Sequence, residues 1–299
     1  MNNDLEILHR VPTPAANARS SIGMEMLDRL CAPPGDPLPA PRTLLVLAHP
    51  DDETVGASSR LPRINPAAFV YVTNGAPDTG SAPHTTDDVS CAEYAWLRRA
   101  EARRALAHVG VSSERAVFLD YPHRRAAYQL VPLTVDLRRW ILATRPEVVL
   151  THSYEGGHPD HDAVAFAVHA AVLALIHEQR DVPVVIEFTS YHGSGDNWVF
   201  SQFLPAPDGV ECTISLTPDM QALKQRLLGC YHSQALALDA VPLEQERFRL
   251  APVYDFTRPP HPGTVLYERY SWGMKVREWC ALASAATERL QNASLAATA

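Results

Sequence analysis

The sequence predicts an α/β protein: a mostly parallel sheet with helices on both faces and a polar site at the C-terminal ends of the strands. Three observations carry that expectation. Short runs of nearly pure Val, Ile and Leu alternate with stretches of helical character, the order that parallel βαβ units require. Such runs are apolar in both directions, so helices must cover each face of the sheet. Two polar segments rich in His and Asp, "AHPDDE" at 48–53 and "GGHPDHD" at 156–162, each follow directly on one of these runs.

Taken in order, residues 1–42 end in the proline-rich "CAPPGDPLPAPR" and read as an N-terminal lead-in with one short helix near 20–31. The first strand is "TLLVL" (43–47), and the second is "FVYVTNG" (69–75), closed by the turn pair Asn74-Gly75. "APDTGSAPHTTDDVS" (76–90) is a polar loop, followed by a helix over 91–108 with Gly110 as its stop. Strands at 116–121, 147–153 and 182–191 then alternate with helices at 131–144 and 159–178. Beyond them, "ECTISLT" (211–217) reads as an edge strand, 218–230 as a helix and 273–290 as the last helix. With no repeat or low-complexity linker, 43–290 is expected to be one domain and 291–299 a disordered tail.

Composition narrows the function. The 299 residues are 46% hydrophobic and 20% charged, ordinary for a globular protein with a sizeable core. A net charge of −8 argues against nucleic acid as a partner, because that affinity rests on neutralising phosphates. No uninterrupted apolar run reaches the roughly 20 residues of a membrane helix. The first twenty residues carry acids early and lack a continuous apolar stretch, unlike a secretory signal. Five scattered cysteines without a CxxC pair suit free thiols, and so a cytoplasmic location.

The two polar segments should meet at one edge of the sheet, bringing together His49, Asp51, Asp52, Glu53, His158, Asp160, His161 and Asp162. Two histidines and one carboxylate holding a divalent ion, with positions left for water and substrate, form a standard hydrolytic arrangement. Imidazole and carboxylate suit Zn2+ best, and Fe2+ would also accept them. Neighbours in an extended loop point different ways, so one of Asp51 and Asp52 can face the ion while the other faces its water. His158 and His161, three residues apart, lie near one helix face. Plainer readings exist. A lone His-Pro-Asp is commonly a capped turn, Asp160 can serve the helix dipole, and acids after a strand can hold magnesium and phosphate. Two mixed motifs at one sheet edge favour the metal.

"AHPDDE" followed by "HPDHDA" resembles the PIG-L/LmbE family of metal-dependent N-deacetylases. The resemblance extends through "VTNGA" (72–76), "LRRAEARRALAHVGV" (97–111), "FLDYP" (118–122) and "KQRLLGCYHSQ" (224–234), covering about 43–235. It implies zinc at the strand ends of a Rossmann-like fold, held by His49, Asp52 and His161, with Asp51 as general base. It makes His158 the group that stabilises the oxyanion or protonates the leaving amine, and Asp160 the acid that orients His158 and keeps it protonated. Arg98, paired in sequence with Glu101, would reach toward substrate or else form a surface pair on its helix. Asn74 and His123 fall at substrate-side positions. His123 departs from the family, which often has an acid there, and Gly156 stands where some relatives have a tyrosine. Tyr154 or His192 could substitute, although a core or rim role is the expected one for each.

The implied partner is a small N-acylated molecule, an amino sugar or glycoconjugate, deacylated by metal-assisted attack of water; a homo-oligomer is compatible with this. The competing functions are an amidase for a non-sugar metabolite such as an antibiotic intermediate, and a non-catalytic metal- or carbohydrate-binding protein. A nucleotide-binding role is disfavoured, since no glycine-rich loop follows the first strand. The aromatic segment "YDFTRPPHPGTVLYERYSWGM" (254–274) either lines a cleft or packs.

Overall fold

A computed structural model describes residues 21–33, 39–77, 90–206, 209–270 and 272–298. Much of the lead-in and of the loop expected at 76–90 lies outside the described residues.

The main sheet has seven strands in the order β3-β2-β1-β4-β5-β9-β8. They are β1 (Arg42–Leu47), β2 (Asn65–Thr73), β3 (Ala116–Tyr121), β4 (Val148–His152), β5 (Val184–Phe188), β8 (Glu211–Ser215) and β9 (Gln245–Leu250). The first five pair in parallel, while β9 runs antiparallel to both β5 and β8. The parallel, Rossmann-like order is therefore the one expected. From β1 the chain winds outward through β2 and β3, then returns to β4 on the other flank of β1. That reversal opens a crevice at the carboxyl ends of β1 and β4, where open α/β sheets take ligands.

Alternate residues of the buried strands feed two cores. Leu44, Val46, Val70, Val72 and Val149 pack under helices α4 (Leu130–Thr144), α5 (Pro159–His177) and α8 (Val276–Thr298). Leu45, Leu47, Phe69, Tyr71, Leu150 and Ile186 face α1 (Ser21–Cys31) and α3 (Cys91–His108). Helix α3 starts at a capping box in which Ser90 and Glu93 satisfy each other's backbone N–H groups. Helix α5 has the length and composition of a membrane span, yet 78% of that stretch is buried inside the fold. Shorter helices α2 (Asp52–Ala57), α6 (Pro218–Leu228) and α7 (Ala235–Leu238) complete the chain.

Several boundaries differ from expectation. Strand β2 begins at Asn65, and Pro66 is accommodated where the β1–β2 register shifts between Thr43 and Leu44. The single strand expected over 182–191 is two elements. β5 ends at Phe188, and β6 (Tyr191–Ser194) folds back on β7 (Asn197–Phe200) as a hairpin turned by Gly195 at φ 53°. Helix α8 runs to Thr298, past the tail expected from 291. Its "ASLAAT" is rich in the strongest helix former. Strand β9 escaped notice because "QERFRL" looks solvent-facing, although Glu246 and Arg249 are each 1% exposed.

Candidate active site

Both motifs stand at the crevice. "AHPDDE" leaves β1 and enters α2, with Asp52 its first helical residue. "GGHPDHD" leaves β4 and enters α5, with His158 as N-cap and Pro159 in the first turn. The glycines that precede His158 let other chain segments close in. A Cβ on Gly157 would lie 2.0 Å from the carbonyl oxygen of Tyr191, and Gly156 holds φ 69° against Val265 and Pro260. A tyrosine at 156 has no room. Tyr154 does not replace it: it is buried, donates to the Arg258 carbonyl at 2.7 Å and stacks on Trp279. His192 is also buried, with Nδ1 3.2 Å from the Gly193 carbonyl oxygen.

Three side chains converge on one point. His161 Nε2 lies 3.2 Å from His49 Nδ1 and 3.3 Å from Asp52 Oδ1, and His49 Nδ1 lies 3.7 Å from Asp52 Oδ2. Ligands of a tetrahedral zinc, each about 2.0–2.1 Å from the ion, stand about 3.3 Å apart. The set His49, Asp52 and His161 thus has the spacing and the donor chemistry of a metal cage. Protonation follows the same lines. Burial and His152 push His161 down to about 3, leaving it a neutral ligand. Burial works to raise Asp52, but His152 and His161 outweigh it and hold the carboxyl well below its usual range.

Asp51 sits beside this cage without being one of its three converging side chains. Its backbone is held at φ 137°, in the left-handed half of conformational space that non-glycine residues avoid. The carboxylate meets Arg98 Nη2 at 3.1 Å. Burial raises it to about 7, with Arg98 working in the opposite direction. Arg98 is 2% exposed and also donates to the Pro50 carbonyl at 2.5 Å. It neither reaches outward to substrate nor forms a surface pair; it buttresses the Asp51 turn from within. Glu101, one turn further on, accepts from the Ser233 N–H and hydroxyl, tying α3 to the segment after α6.

The third acid, Glu53, points the other way, into the core. It accepts hydroxyl donation from Thr54 at 2.8 Å, from Tyr71 at 3.1 Å and from Tyr231. The three consecutive acids thus have three different surroundings.

Asp160 requires a correction. Its carboxylate was expected on His158, but Oδ2 lies 3.9 Å from His158 Nδ1 and 3.2 Å from His49 Nε2. The backbone N–H groups of Arg124 and Ala126 fix that carboxylate at 2.6 and 3.2 Å. Asp160 therefore orients the imidazole of His49, so that when the ring is neutral its proton stays on Nε2 and Nδ1 is left for the cage, an arrangement common around metal-binding histidines. His158 Nδ1 instead accepts the Asp160 backbone N–H at 3.1 Å, which puts its proton on Nε2. Burial, with His49 and His161 nearby, pushes its pKa well below the ordinary value, so His158 is a neutral donor and not a cation.

His123 joins the group, its ring 5.0 Å from His49 and 5.4 Å from His158, with Nδ1 3.7 Å from Asp160 Oδ2. Asn74 is half-buried, and its side-chain oxygen accepts the Ala76 N–H at 3.0 Å, closing a turn. Sequence reasoning missed His152. Its Nε2 lies 3.1 Å from Asp52 Oδ2, and its ring stacks on His161 at 4.1 Å. The available signal was its place as the last residue of β4, immediately before the second motif. Asp162 accepts the N–H groups of Glu155 and Gly156 and so fixes the loop ahead of His158.

Residues 44–172 match the family of GlcNAc-PI de-N-acetylases, PIG-L. The chain is similar to the 1D-myo-inositol 2-acetamido-2-deoxy-alpha-D-glucopyranoside deacetylase 1 of Catenulispora acidiphila. The two are 32% identical over 168 residues, 48% of this chain and 51% of the relative. A deacetylase of the same description from a Nocardioides species is 29% identical over 170 residues, 46% of this chain and 56% of that one. This chain thus spans about half the length of the curated relatives it matches. Among solved structures, N,N'-diacetylchitobiose deacetylase from Pyrococcus horikoshii aligns with TM-score 0.55 at 16% identity, over 84% of this chain and 94% of that one. A deacetylase of teicoplanin biosynthesis aligns with TM-score 0.52 at 17% identity, over 72% and 99%. At these identities the structural likeness speaks for the fold.

Proposed function

We propose, for a chain whose residues 44–172 match the PIG-L family, that it is a zinc-dependent hydrolase removing the acyl group from an N-acyl amino sugar or glycoconjugate. The observation that carries this reading is the convergence of His49, Asp52 and His161 beside an aspartate that the cage does not use. The curated relatives' acetamido-sugar substrates support the substrate class.

His49, Asp52 and His161 would hold the ion, which when bound supplies a Lewis acid that makes water nucleophilic near neutral pH. Asp51, steadied by Arg98, takes the proton of the attacking water. His158 presents its Nε2–H to the developing oxyanion, and Asp160 keeps His49 in the right tautomer. His123 lines the approach. The departing nitrogen takes the proton that Asp51 captured, giving a carboxylic acid and a free amine. His158 is ill suited to that delivery because it is held neutral and its remaining proton is engaged with the oxyanion.

Strands β5, β9 and β8 lie outside the family match yet complete the same sheet, which supports 43–290 as one domain. Five unpaired cysteines support a reducing compartment as its place of action.

The test is amine release from a panel of N-acyl sugars and N-acyl amino acids, with chelator-stripped protein as control. Release from N-acetylated sugars that returns on adding zinc is the expected result. Full activity in metal-free protein overturns the reading.

A further inference from the structure

The aromatic residues of the 254–274 segment divide into two groups. Tyr254 and Phe256 pack with Tyr154 and Trp279 in the interior. Tyr270 reaches the surface and the half-buried Trp272 stands beside it, where both meet Trp198 from the β6–β7 hairpin. Tyr270 and Trp272 stack at 5.1 Å, and Trp198 stands 5.6 Å from Tyr270 and 6.4 Å from Trp272, edge-on to the latter. Trp198 remains 37% exposed and Tyr270 42%, whereas the packing ring Trp279 is 0% exposed. These rings do not merely hold the hairpin down.

The exposed group is continuous with the cage. Trp272 lies 4.9 Å from His158, and Tyr191, 4.8 Å from Trp198, lies 5.4 Å from His161. A molecule with its amide at His158 and His161 therefore reaches the rings within the width of one further ring. The chemistry of the platform is specific too. The Trp198 indole N–H, which could otherwise serve a substrate hydroxyl, is donated to the Tyr270 hydroxyl at 2.5 Å. That bond engages the indole N–H, so a ligand meets ring surface there, in a cluster that Phe200 extends by stacking on Trp198 at 5.8 Å and that Arg124 borders 5.4 Å from the Trp272 ring. Flat apolar groups stack on such faces without hydrogen bonds.

We propose that Trp198, Tyr270 and Trp272 form a substrate subsite for a planar aromatic group carried next to the scissile amide. This rests on the deacylase reading above and narrows its substrate class. The preferred substrate is an N-acyl amino sugar bearing an aromatic substituent, either as aglycone or on the acyl group. Trp198 and Tyr270 determine specificity and take no part in bond making.

Three compounds test it: the methyl glycoside of N-acetylglucosamine, its 4-nitrophenyl glycoside, and the methyl glycoside of N-benzoylglucosamine. One aryl compound is expected to exceed the methyl parent by about tenfold or more in kcat/KM, chiefly through KM. Which compound does so says whether the ring sits on the glycoside or the acyl side. Trp198→Ala and Tyr270→Ala, each checked by circular dichroism, should bring that ratio close to one, while Trp198→Phe keeps most of it. Equal kcat/KM for all three compounds in the wild type, or a ratio that survives both alanine variants, overturns the subsite. If no compound is hydrolysed, equilibrium binding by calorimetry decides separately. Tighter binding of an aryl compound that is lost in Trp198→Ala supports the subsite even as the deacylase reading fails, and equal binding overturns it.

Discussion

The Nε2 nitrogen of His49 lies 3.2 Å from Asp160 Oδ2, while Nδ1 of the same ring lies 3.2 Å from His161 Nε2. The imidazole therefore spans from an orienting carboxylate to the proposed cage. Burial alone would lower this histidine, but Asp160 and Asp52 outweigh it and hold it at about 9 in the metal-free chain. Below that value an incoming cation must displace a proton from Nδ1. Apparent zinc affinity should therefore rise about tenfold per pH unit between pH 6 and 8. Asp160→Asn removes the charge that holds the proton and the tautomer. It should weaken zinc binding about 10–100-fold and flatten that pH dependence, as read by competition with a chromophoric chelator. Unchanged affinity would return Asp160 to the role of an orienter of His158 alone.

Asp51 and Arg98 make the next prediction. A base must be ionised, so activity is present above the Asp51 pKa and is lost as pH falls through it. Burial raises that pKa to about 7 and Arg98 opposes the rise. A bound cation lowers it further, so the acid limb of kcat/KM should lie at or below neutrality. Arg98→Gln removes the opposing charge and should move the limb upward by about one unit or more, with activity recovering at high pH. A substrate-binding Arg98 would instead show a raised KM at every pH and an unmoved limb.

His158 gives a third test. Its Nδ1 is committed to the Asp160 backbone N–H, so only Nε2 can face substrate. His158→Ala should leave zinc stoichiometry intact and reduce kcat about 10²–10³-fold, the usual cost of one oxyanion donor. His49→Ala should instead lose the zinc itself. Both are read by metal analysis of purified protein alongside turnover.

The centre of the fold was legible because its strands are apolar runs bounded by turn residues, and a parallel sheet then dictates where ligands sit. The cage residues were legible because both motifs follow such strands directly. Partner choice was not. Asp160 is two residues from His158, yet its carboxylate serves a ring from the other motif, a fact set by the three-dimensional approach of α5 to the β1 loop. Arg98 could not be recognised as buried, since its sequence neighbours in "WLRRAEARRAL" are charged. Strand β9 was hidden for a related reason: its charges are neutralised by residues distant in sequence. Arg249 pairs with Glu187 at 2.8 Å, and Glu246 with Lys224 at 3.5 Å and two serine hydroxyls. Charge in a sequence reads as exposure until its partners are known.

Glu53 supplies the last prediction, which separates it from its two acidic neighbours. It is 0% exposed and accepts from Tyr71 and Tyr231, two buried hydroxyls contributed by β2 and by the segment after α6. Glu53→Ala strands both hydroxyls without an acceptor, at about 1–3 kcal/mol for each group left unsatisfied. The urea midpoint should fall accordingly while zinc stoichiometry is unchanged. In a Tyr231→Phe background one of those donors is already gone, so the same substitution should cost less, and the difference measures the pair. Loss of zinc with an unchanged urea midpoint would instead make Glu53 a ligand. The inward geometry of its carboxylate and its three hydroxyl partners argue for the structural outcome, in which the third acid of the motif braces the loop that the first two use.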